Sequence, residues 1–574
     1  MSSLASQLSA ILGKAFEAQG LPADLGTVRV SDRPDLCQFQ CNGAMAAAKQ
    51  AKKNPREVAG AVVDALEGAE GIQKLEIAGP GFINIDVSDE FLARHTGEIA
   101  RDDRLGVEDY PADTVVLDYG GPNIAKPMHV GHLRASIIGD CLRRLYNYAG
   151  FKALGDVHMG DWGTPMGQII SELEARGIMG QPLTMEDLET IYPEASRACK
   201  ESEERMELAR AATAKLQDGD EKYRAVWQQF IDVSVAGMKA NFDALGVHFD
   251  LWKGEASVHD LIAPMVETLK AKGLALEDDG AIVVPVAQEG DSKEVPPLIL
   301  YKRDGAVMYG TTDLATIIDR VQDYDPAKII YVVDQRQSLH FEQVFRAARA
   351  GDIAPRDDVE LIHAGFGTMN GTDGKPFKTR AGGVMKLEDL IRTGVEKAQA
   401  RLEEANLADD IDGTERADIA HKVAIAAIKF ADLQNNRIAD YVFDLDRMTS
   451  FEGKTGPYLL YQAVRIKSLL RKAQAQSMDI GGDFVIHDAD RPLALLLAEF
   501  PDHFDLALRN NTPHVLCDYA FKLGQAFSSF YSNCHILSEE NAALRASRLG
   551  LCALCARQLE LILNLLGVEI PERM

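Results

Sequence analysis

No apolar run in this 574-residue chain is long enough to cross a bilayer, which excludes a helical membrane protein. From Met1 to Leu21, Leu4, Leu8, Ile11, Leu12 and Phe16 share one helical face, but Ser, Gln and Lys14 interrupt them, so no signal peptide is expected. Cysteine is sparse. The eight residues are scattered, and the close pairs Cys37/Cys41 and Cys552/Cys555 have no second pair at zinc-site spacing; the latter pair also falls inside an apolar helical stretch. No metal site is expected, and a reducing cytoplasm fits this usage. Internal repeats and low-complexity tracts are missing as well.

Positive charge is also short, with 61 Lys and Arg against 87 Asp and Glu and a formal net charge of −26. Binding to phosphates is driven by Lys and Arg displacing counterions, so this balance argues against a nucleic-acid partner. The objection concerns an average, however, whereas recognition uses a patch. Residues 49–56 carry Lys49, Lys52, Lys53 and Arg56 without an acid, and residues 454–472 carry Lys454, Arg465, Lys467, Arg471 and Lys472 without one. Either island is a landing site or simply a solvated helix face.

What is present is the hydrophobic content (46%) and charge content (26%) of an ordinary globular protein, on a chain too long for one core. The first hundred residues read as a small α+β unit: a helix over 3–19, another near 55–67, and an alternating strand over 82–87 after the turn Gly79-Pro80-Gly81. Asp102-Asp103 and the polar stretch to Pro111 read as a linker. Val115 to Tyr119 forms a short buried strand followed by a Gly/Pro/Asn loop. A helix striped by Leu133, Ile137, Cys141, Leu145 and Tyr148 comes next. Strand, loop and helix in that order open a doubly wound α/β fold, whose ligands bind outside the carboxyl ends of the strands. Residues 167–245 read as a charged helical insertion. Strands resume over 281–284, 328–333 and 361–364, and the rest is helical, with segments near 386–405, 415–435, 455–475 and 542–566.

His129-Val130-Gly131-His132 falls where the loop becomes the helix, so two imidazoles and the first free backbone N–H groups converge in an anion-binding geometry. A Cβ at position 131 would intrude on a base or ribose approaching the backbone. Two histidines at a helix start would be ordinary surface residues on their own; the surrounding strand, loop and amphipathic helix make them a nucleotide site. A second feature is the basic, Gly-rich stretch from Gly371 to Gly383, and a third is the run Tyr309 to Ala315. Tyr309 and Asp313 stand four apart, which on a helix aims both into one pocket. A carboxylate there suits a guanidinium, which it meets bidentately.

Pro122 through His132 resembles the first signature of the class I arginyl-tRNA synthetases. The resemblance implies that His129 and His132 contact ATP and stabilise the transition state at its α-phosphate, with Gly131 beside them. The stretch 371–383 resembles the second signature loop, with Thr379 where the usual second lysine stands. Lys375, Lys378 and Arg380 are the candidates to face the triphosphate, and Lys126 can supply the missing charge. In that family the residues matching Tyr309 and Asp313 hold the substrate side chain. Asp118 looks like a third contact, Asn123 and His132 match the residues holding the α-amino and carboxylate groups, and Gln337 matches a further pocket residue.

Residues 39–46 and 78–84 resemble the family's tRNA-contacting amino-terminal domain, while 451–458 and 565–574 resemble its helical anticodon-binding domain. The implied architecture is a Rossmann-type α/β catalytic core with an α+β amino-terminal domain and an all-α carboxyl-terminal bundle. Its expected parts are 1–108, 109–385 including the insertion, a stem-contact region 386–450, and 451–574. Tyr458, Tyr461 and Tyr531 can stack on unpaired bases or serve as core.

The implied activity uses ATP, Mg²⁺, arginine and tRNA(Arg), in a monomer, with tRNA needed before the amino acid is activated. A pocket that reads a charge discriminates by about 10⁴ to 10⁵ without proofreading, so no editing domain is expected. The rivals are a nucleotidyltransferase using the His-x-Gly-His site, whose usual size is far smaller, and a non-catalytic tRNA-binding paralogue.

Overall fold

The structure is a computed structural model. It describes residues 3–33, 35–303, 305–355, 359–375, 377, 384–405, 407 and 411–574.

The amino-terminal unit forms where the sequence places it. Helix Leu4–Ala18 buries Leu4, Leu8, Leu12 and Phe16 and is capped by the Ser3 hydroxyl, which accepts from the Ser6 N–H at 3.1 Å. It packs on an antiparallel sheet ordered Val28–Val30, Phe39–Cys41, Phe82–Val87, Ile72–Ala78. Phe82–Val87 alternates as expected, with Ile83, Ile85 and Val87 buried on one face and Phe82 and Asp86 only half-buried on the other; Asn84, buried on that second face, accepts from the Gln40 amide at 2.9 Å.

The stretch after helix Asp89–Arg101 corrects the linker reading. The Asp102 carboxylate accepts from the N–H groups of Arg104 (3.0 Å) and Gly106 (2.8 Å), and Leu105 and Val107 are buried. The Tyr148 hydroxyl donates to the Arg104 carbonyl at 2.9 Å, and Tyr110 reaches Asp505. Its polar residues satisfy the backbone of a packed strap.

The catalytic sheet is wholly parallel, ordered Glu360–His363, Pro326–Tyr331, Thr114–Asp118, Lys152–Asp156. Val115, Val116 and Leu117 are fully buried, as a strand covered on both faces must be. From Thr114–Asp118 the chain crosses through helix Leu133–Ala149 to one neighbour and returns much later to the other. The strand order therefore reverses between Thr114–Asp118 and Pro326–Tyr331, where open α/β sheets bind ligands. Gly139 lets that helix approach closely, since a Cβ there would lie 2.1 Å from the Tyr119 ring.

Ala281–Val284 does not belong to this sheet. It is the middle strand of a separate antiparallel sheet with Leu276–Asp278 and Leu298–Tyr301. Asp279 and Gly280, both at positive φ, make a two-residue hairpin turn, and such a turn forces antiparallel pairing.

The insertion is helical, over Thr164–Arg176, Met185–Glu201, Glu203–Gln217 and Glu221–Leu245. The carboxyl-terminal part carries the expected helices at Leu387–Glu404, Gly413–Leu433, Gly456–Ala475 and Ala542–Leu565. It adds a single turn at Leu445–Met448 and three longer helices at Arg491–Ala498, Phe500–Asn510 and His514–Asn533. Pro492 and Pro501 sit in the first turns of two of these and Pro513 caps the third, positions where proline starts a helix rather than breaking one. Cys552 and Cys555 are buried in the last helix, and burial raises both thiol pKa values. Among the described residues no helix is long and apolar enough to cross a membrane.

Candidate active site

The loop leaving Thr114–Asp118 is pinned before it reaches the histidines. Ile124 donates to the Gly160 carbonyl at 3.0 Å, Gly160 donates back to Pro122 at 3.2 Å, and Asn123 bridges Gly160 in parallel. Ala125 is held at φ 62° while its N–H donates to the Ser234 hydroxyl at 2.9 Å. A left-handed alanine costs about 1 kcal/mol, so the contact to the insertion helix fixes a strained turn just ahead of the signature.

His129 and His132 then meet, their ring centroids 4.1 Å apart. The His129 Nδ1 accepts from the Gly131 N–H at 3.0 Å, and the His132 Nδ1 accepts from the His129 N–H at 3.1 Å. Both rings therefore carry their proton on Nε2 when neutral. Burial lowers both pKa values, with Lys126 also acting on each; His132 falls to about 4. At neutral pH the corner thus offers two uncharged N–H donors. A Cβ at Gly131 would lie 2.7 Å from the His129 ring, so that glycine also makes room for the imidazole.

The Lys126 ammonium lies 4.7 Å from the centroid of the Tyr192 ring on the insertion helix. Lys375 is exposed in a tight turn in which Gly371 donates to its carbonyl at 2.7 Å. Lys378, Thr379 and Arg380 lie outside the described residues.

A cavity of about 170 Å³ opens at the switch between the two central strands. Its walls include Asp118, Gly121, Gly131, Val333, Asp334 and Gln337, so it brings together three of the residues selected from sequence. Helix Tyr309–Tyr324 stands beside it, with Asp313, Thr316 and Arg320 on one face. The fully buried Arg320 donates through Nη2 to Asp118 at 2.6 Å and to Asp156 at 2.7 Å. Thr316 meets His158 at 3.3 Å, and the Asp313 carboxylate meets the His340 Nε2 at 2.5 Å. Two carboxylates that the sequence leaves open for a guanidinium are thus already engaged, Asp118 by Arg320 and Asp313 by His340. Tyr309, the first residue of the helix, is 73% exposed and does not share the half-buried setting of Asp313.

The surroundings are strongly acidic. Burial raises the Asp118 pKa against the pull of Arg320, whereas for Asp156 Arg320 and His158 outweigh burial and keep it ionised. Burial lifts Asp161 to about 6 although the Ala256 N–H donates to it at 2.9 Å. It lifts Glu255 to about 7, helped by the like charges of Asp161 and Asp313. The hydrogen bond that His340 donates to the Asp313 carboxylate raises the His340 pKa. Sequence reasoning missed Arg320, Asp156, His340 and Glu255. Only Arg320 left a signal, standing two helical turns after Asp313.

The two basic islands differ. Lys49, Lys52, Lys53 and Arg56 are exposed, with Arg56 reaching the Gly79 carbonyl at 2.5 Å. In the second, Lys454 pairs with Asp518, Lys467 with Glu560 at 3.0 Å, and Arg471 with the Glu572 carbonyl at 3.2 Å. Arg465 lies 4.2 Å over the Tyr531 ring, and Tyr458 packs edge-on against Phe521.

Residues 97–445 match the family described as tRNA synthetases class I (R), catalytic domain, which places the parallel sheet and its cleft in class I. Residues 2–87 match the arginyl tRNA synthetase N terminal domain and 459–574 the DALR anticodon binding domain. Relatives named arginine–tRNA ligase from Maricaulis maris and Hyphomonas neptunium are 52% and 49% identical, each covering all of both chains. The solved arginyl-tRNA synthetase of Plasmodium falciparum superposes with a TM-score of 0.85 at 25% identity, covering all of both chains. That of Thermus thermophilus has the same fold, with a TM-score of 0.81 at 24% identity. The chain belongs to the class I arginyl-tRNA synthetase family.

Proposed function

We propose that this chain activates arginine with ATP and loads it onto the 3′-terminal ribose of tRNA(Arg). The observation that carries the reading is the cavity at the carboxyl ends of the two central strands, which Asp118 and Gln337 line together with Gly131 of the imidazole corner. The arginine carboxylate attacks the α-phosphorus in line, the bond to the bridging oxygen breaks, and pyrophosphate leaves. The ribose hydroxyl then attacks the activated carbonyl, gives up its proton, and AMP leaves.

No side chain need act as nucleophile in either step; catalysis is positioning plus neutralisation of charge. His129 and His132 donate from Nε2 to the phosphate oxygens, with Gly131 at the ribose side. Lys126, Lys375, Lys378 and Arg380 supply positive charge. Asp313, Tyr309 and Gln337 receive the arginine side chain, with Asp118 as a carboxylate shared with Arg320, while Asn123 and His132 hold its α-amino and carboxylate groups. Mg²⁺ enters with the triphosphate. Among the described residues no cluster of His, Cys, Asp or Glu is arranged to hold it, so it is given no protein ligands and no step.

Residues 1–108, through the exposed 49–56 island, and 451–574 are the tRNA-contacting parts, with 386–450 alongside the stem. The eight free, buried cysteines support a cytoplasmic setting. Arginine-dependent exchange of pyrophosphate into ATP, with and without tRNA, tests the reading. Exchange that requires both arginine and tRNA is expected. Exchange with another acid and no tRNA would point to a nucleotidyltransferase, and no exchange at all to a non-catalytic tRNA binder.

A further inference from the structure

One lysine beside the imidazoles is absorbed by neither signature. The backbone after the second loop returns to the first: Val130 donates to the Met385 carbonyl and Leu387 to the Met128 carbonyl, both at 3.0 Å, leaving His129 and Lys386 directly opposed in an antiparallel bridge. These bonds flank the pair rather than join it, which is the arrangement that brings facing side chains closest. Lys386 is therefore fixed beside His129 by main-chain geometry, on the same face.

Its ammonium is held by the insertion helix Met185–Glu201. Both Glu189 oxygens accept from it, at 2.7 and 3.0 Å. One turn further, Tyr192 receives Lys126 on its ring. A single helix face thus holds two cations that flank the signature, one by a carboxylate and one by an aromatic face. The Glu189–Lys386 pair keeps 24% and 39% of its side chains exposed, so it contributes little to stability. A phosphate bearing more charge and more acceptor oxygens than a carboxylate can displace Glu189 at small cost.

We propose that Lys386 is a further cation of the triphosphate site, held on Glu189 until the terminal phosphates of ATP take it. The inference rests on the proposed activity. It adds to Lys126 a second source of the charge that a loop with Thr379 in place of a lysine lacks: Lys386 supplies it from the anchored backbone just beyond the loop.

The test is the sign of two substitutions in steady-state charging of tRNA with arginine. Lys386→Gln removes a charge-assisted bond to phosphate and should raise the KM for ATP by roughly tenfold or more, leaving the KM for arginine unchanged. Lys386→Arg should recover most of that loss. Glu189→Gln frees the ammonium and should lower the KM for ATP by about two- to fivefold. A bridge that is merely structural is broken alike from either side, so shifts of the same sign, or no shift in either variant, overturn the proposal. Failure of the unaltered protein to charge tRNA would instead count against the activity itself.

Discussion

Two buried arginines of the catalytic fold are used in different ways. Arg134, just past the signature histidines, spends its donors on structure. Nε meets Asp432 at 3.1 Å, Nη1 donates to the carbonyls of Gly367 (2.6 Å) and Ala439 (3.1 Å), and Nη2 donates to that of Arg437 (3.4 Å). It ties the signature helix to the base of the second loop and to the helical region, with one positive charge for one negative. Arg320 sends a single nitrogen to two carboxylates, while its Nε and Nη1 find no hydrogen-bond partner among the described residues. Its neighbourhood also holds Asp161, whose pKa burial raises, and Glu255, whose pKa is raised by burial and then by the like charges of Asp161 and Asp313. The strut closes its own charge, whereas the cleft gathers more carboxylates around its arginine than that one cation balances.

Arg320→Met should separate the two most sharply. It strands Asp118 and Asp156 together and should cost about 5 kcal/mol in denaturant unfolding, while also raising the KM for arginine in charging assays. Arg134→Met strands Asp432 alone and should cost about 3 kcal/mol with the KM for arginine unchanged. Equal behaviour of the two variants toward arginine would dissolve the contrast. Asp313→Ala should lower kcat/KM for arginine by about 10²-fold, some 3 kcal/mol, and weaken the preference for arginine over lysine. An unchanged preference would remove Asp313 from the pocket.

The imidazole corner gives a smaller, pH-dependent effect. In the fold His132 stays neutral down to about 4, whereas in the unfolded chain it titrates near 6.5. As pH falls the unfolded form takes up a proton first. The stability His132 contributes is therefore complete above 6.5 and is lost as pH drops toward 4. Between pH 7.5 and 5 this amounts to about 2 kcal/mol, which the His132→Gln variant should not lose; equal acid sensitivity in both proteins would deny the buried neutral state. The smallest effect concerns Glu255, half-protonated near pH 7. Arginine binding should release a fraction of a proton there, seen by calorimetry in buffers of different ionisation enthalpy and lost in Glu255→Gln.

Much of this was legible in the sequence where the signal is local. The strand–loop–helix around Val115 to Tyr148 and the strand Phe82–Val87 needed only short-range pattern. Lys152–Asp156, a central-sheet strand of Lys, Ala, Leu, Gly and Asp, has little β-propensity and owes its place to the pairing with Thr114–Asp118, so it could not be read alone. Asp156 lay hidden with it, and with Asp156 the charge centre at Arg320. Glu255 and Lys386 were invisible for the same reason: each takes its meaning from a neighbour brought in by the fold, Asp161 and Asp313 for one, His129 and Glu189 for the other. The helices Arg491–Ala498, Phe500–Asn510 and His514–Asn533 were not read from the sequence; each starts at a proline, and sequence does not show which side of a proline a helix occupies.

The proposed cleft reads positive charge on the amino acid. Its most direct test compares kcat/KM for arginine with that for citrulline, the near-isosteric neutral side chain, in charging of tRNA by the unaltered protein. Arginine should be favoured by about 10⁴-fold or more, as for sites built to pair a polar group. Discrimination of less than about tenfold would mean that the acidic face does not grip the substrate, and would contradict this reading.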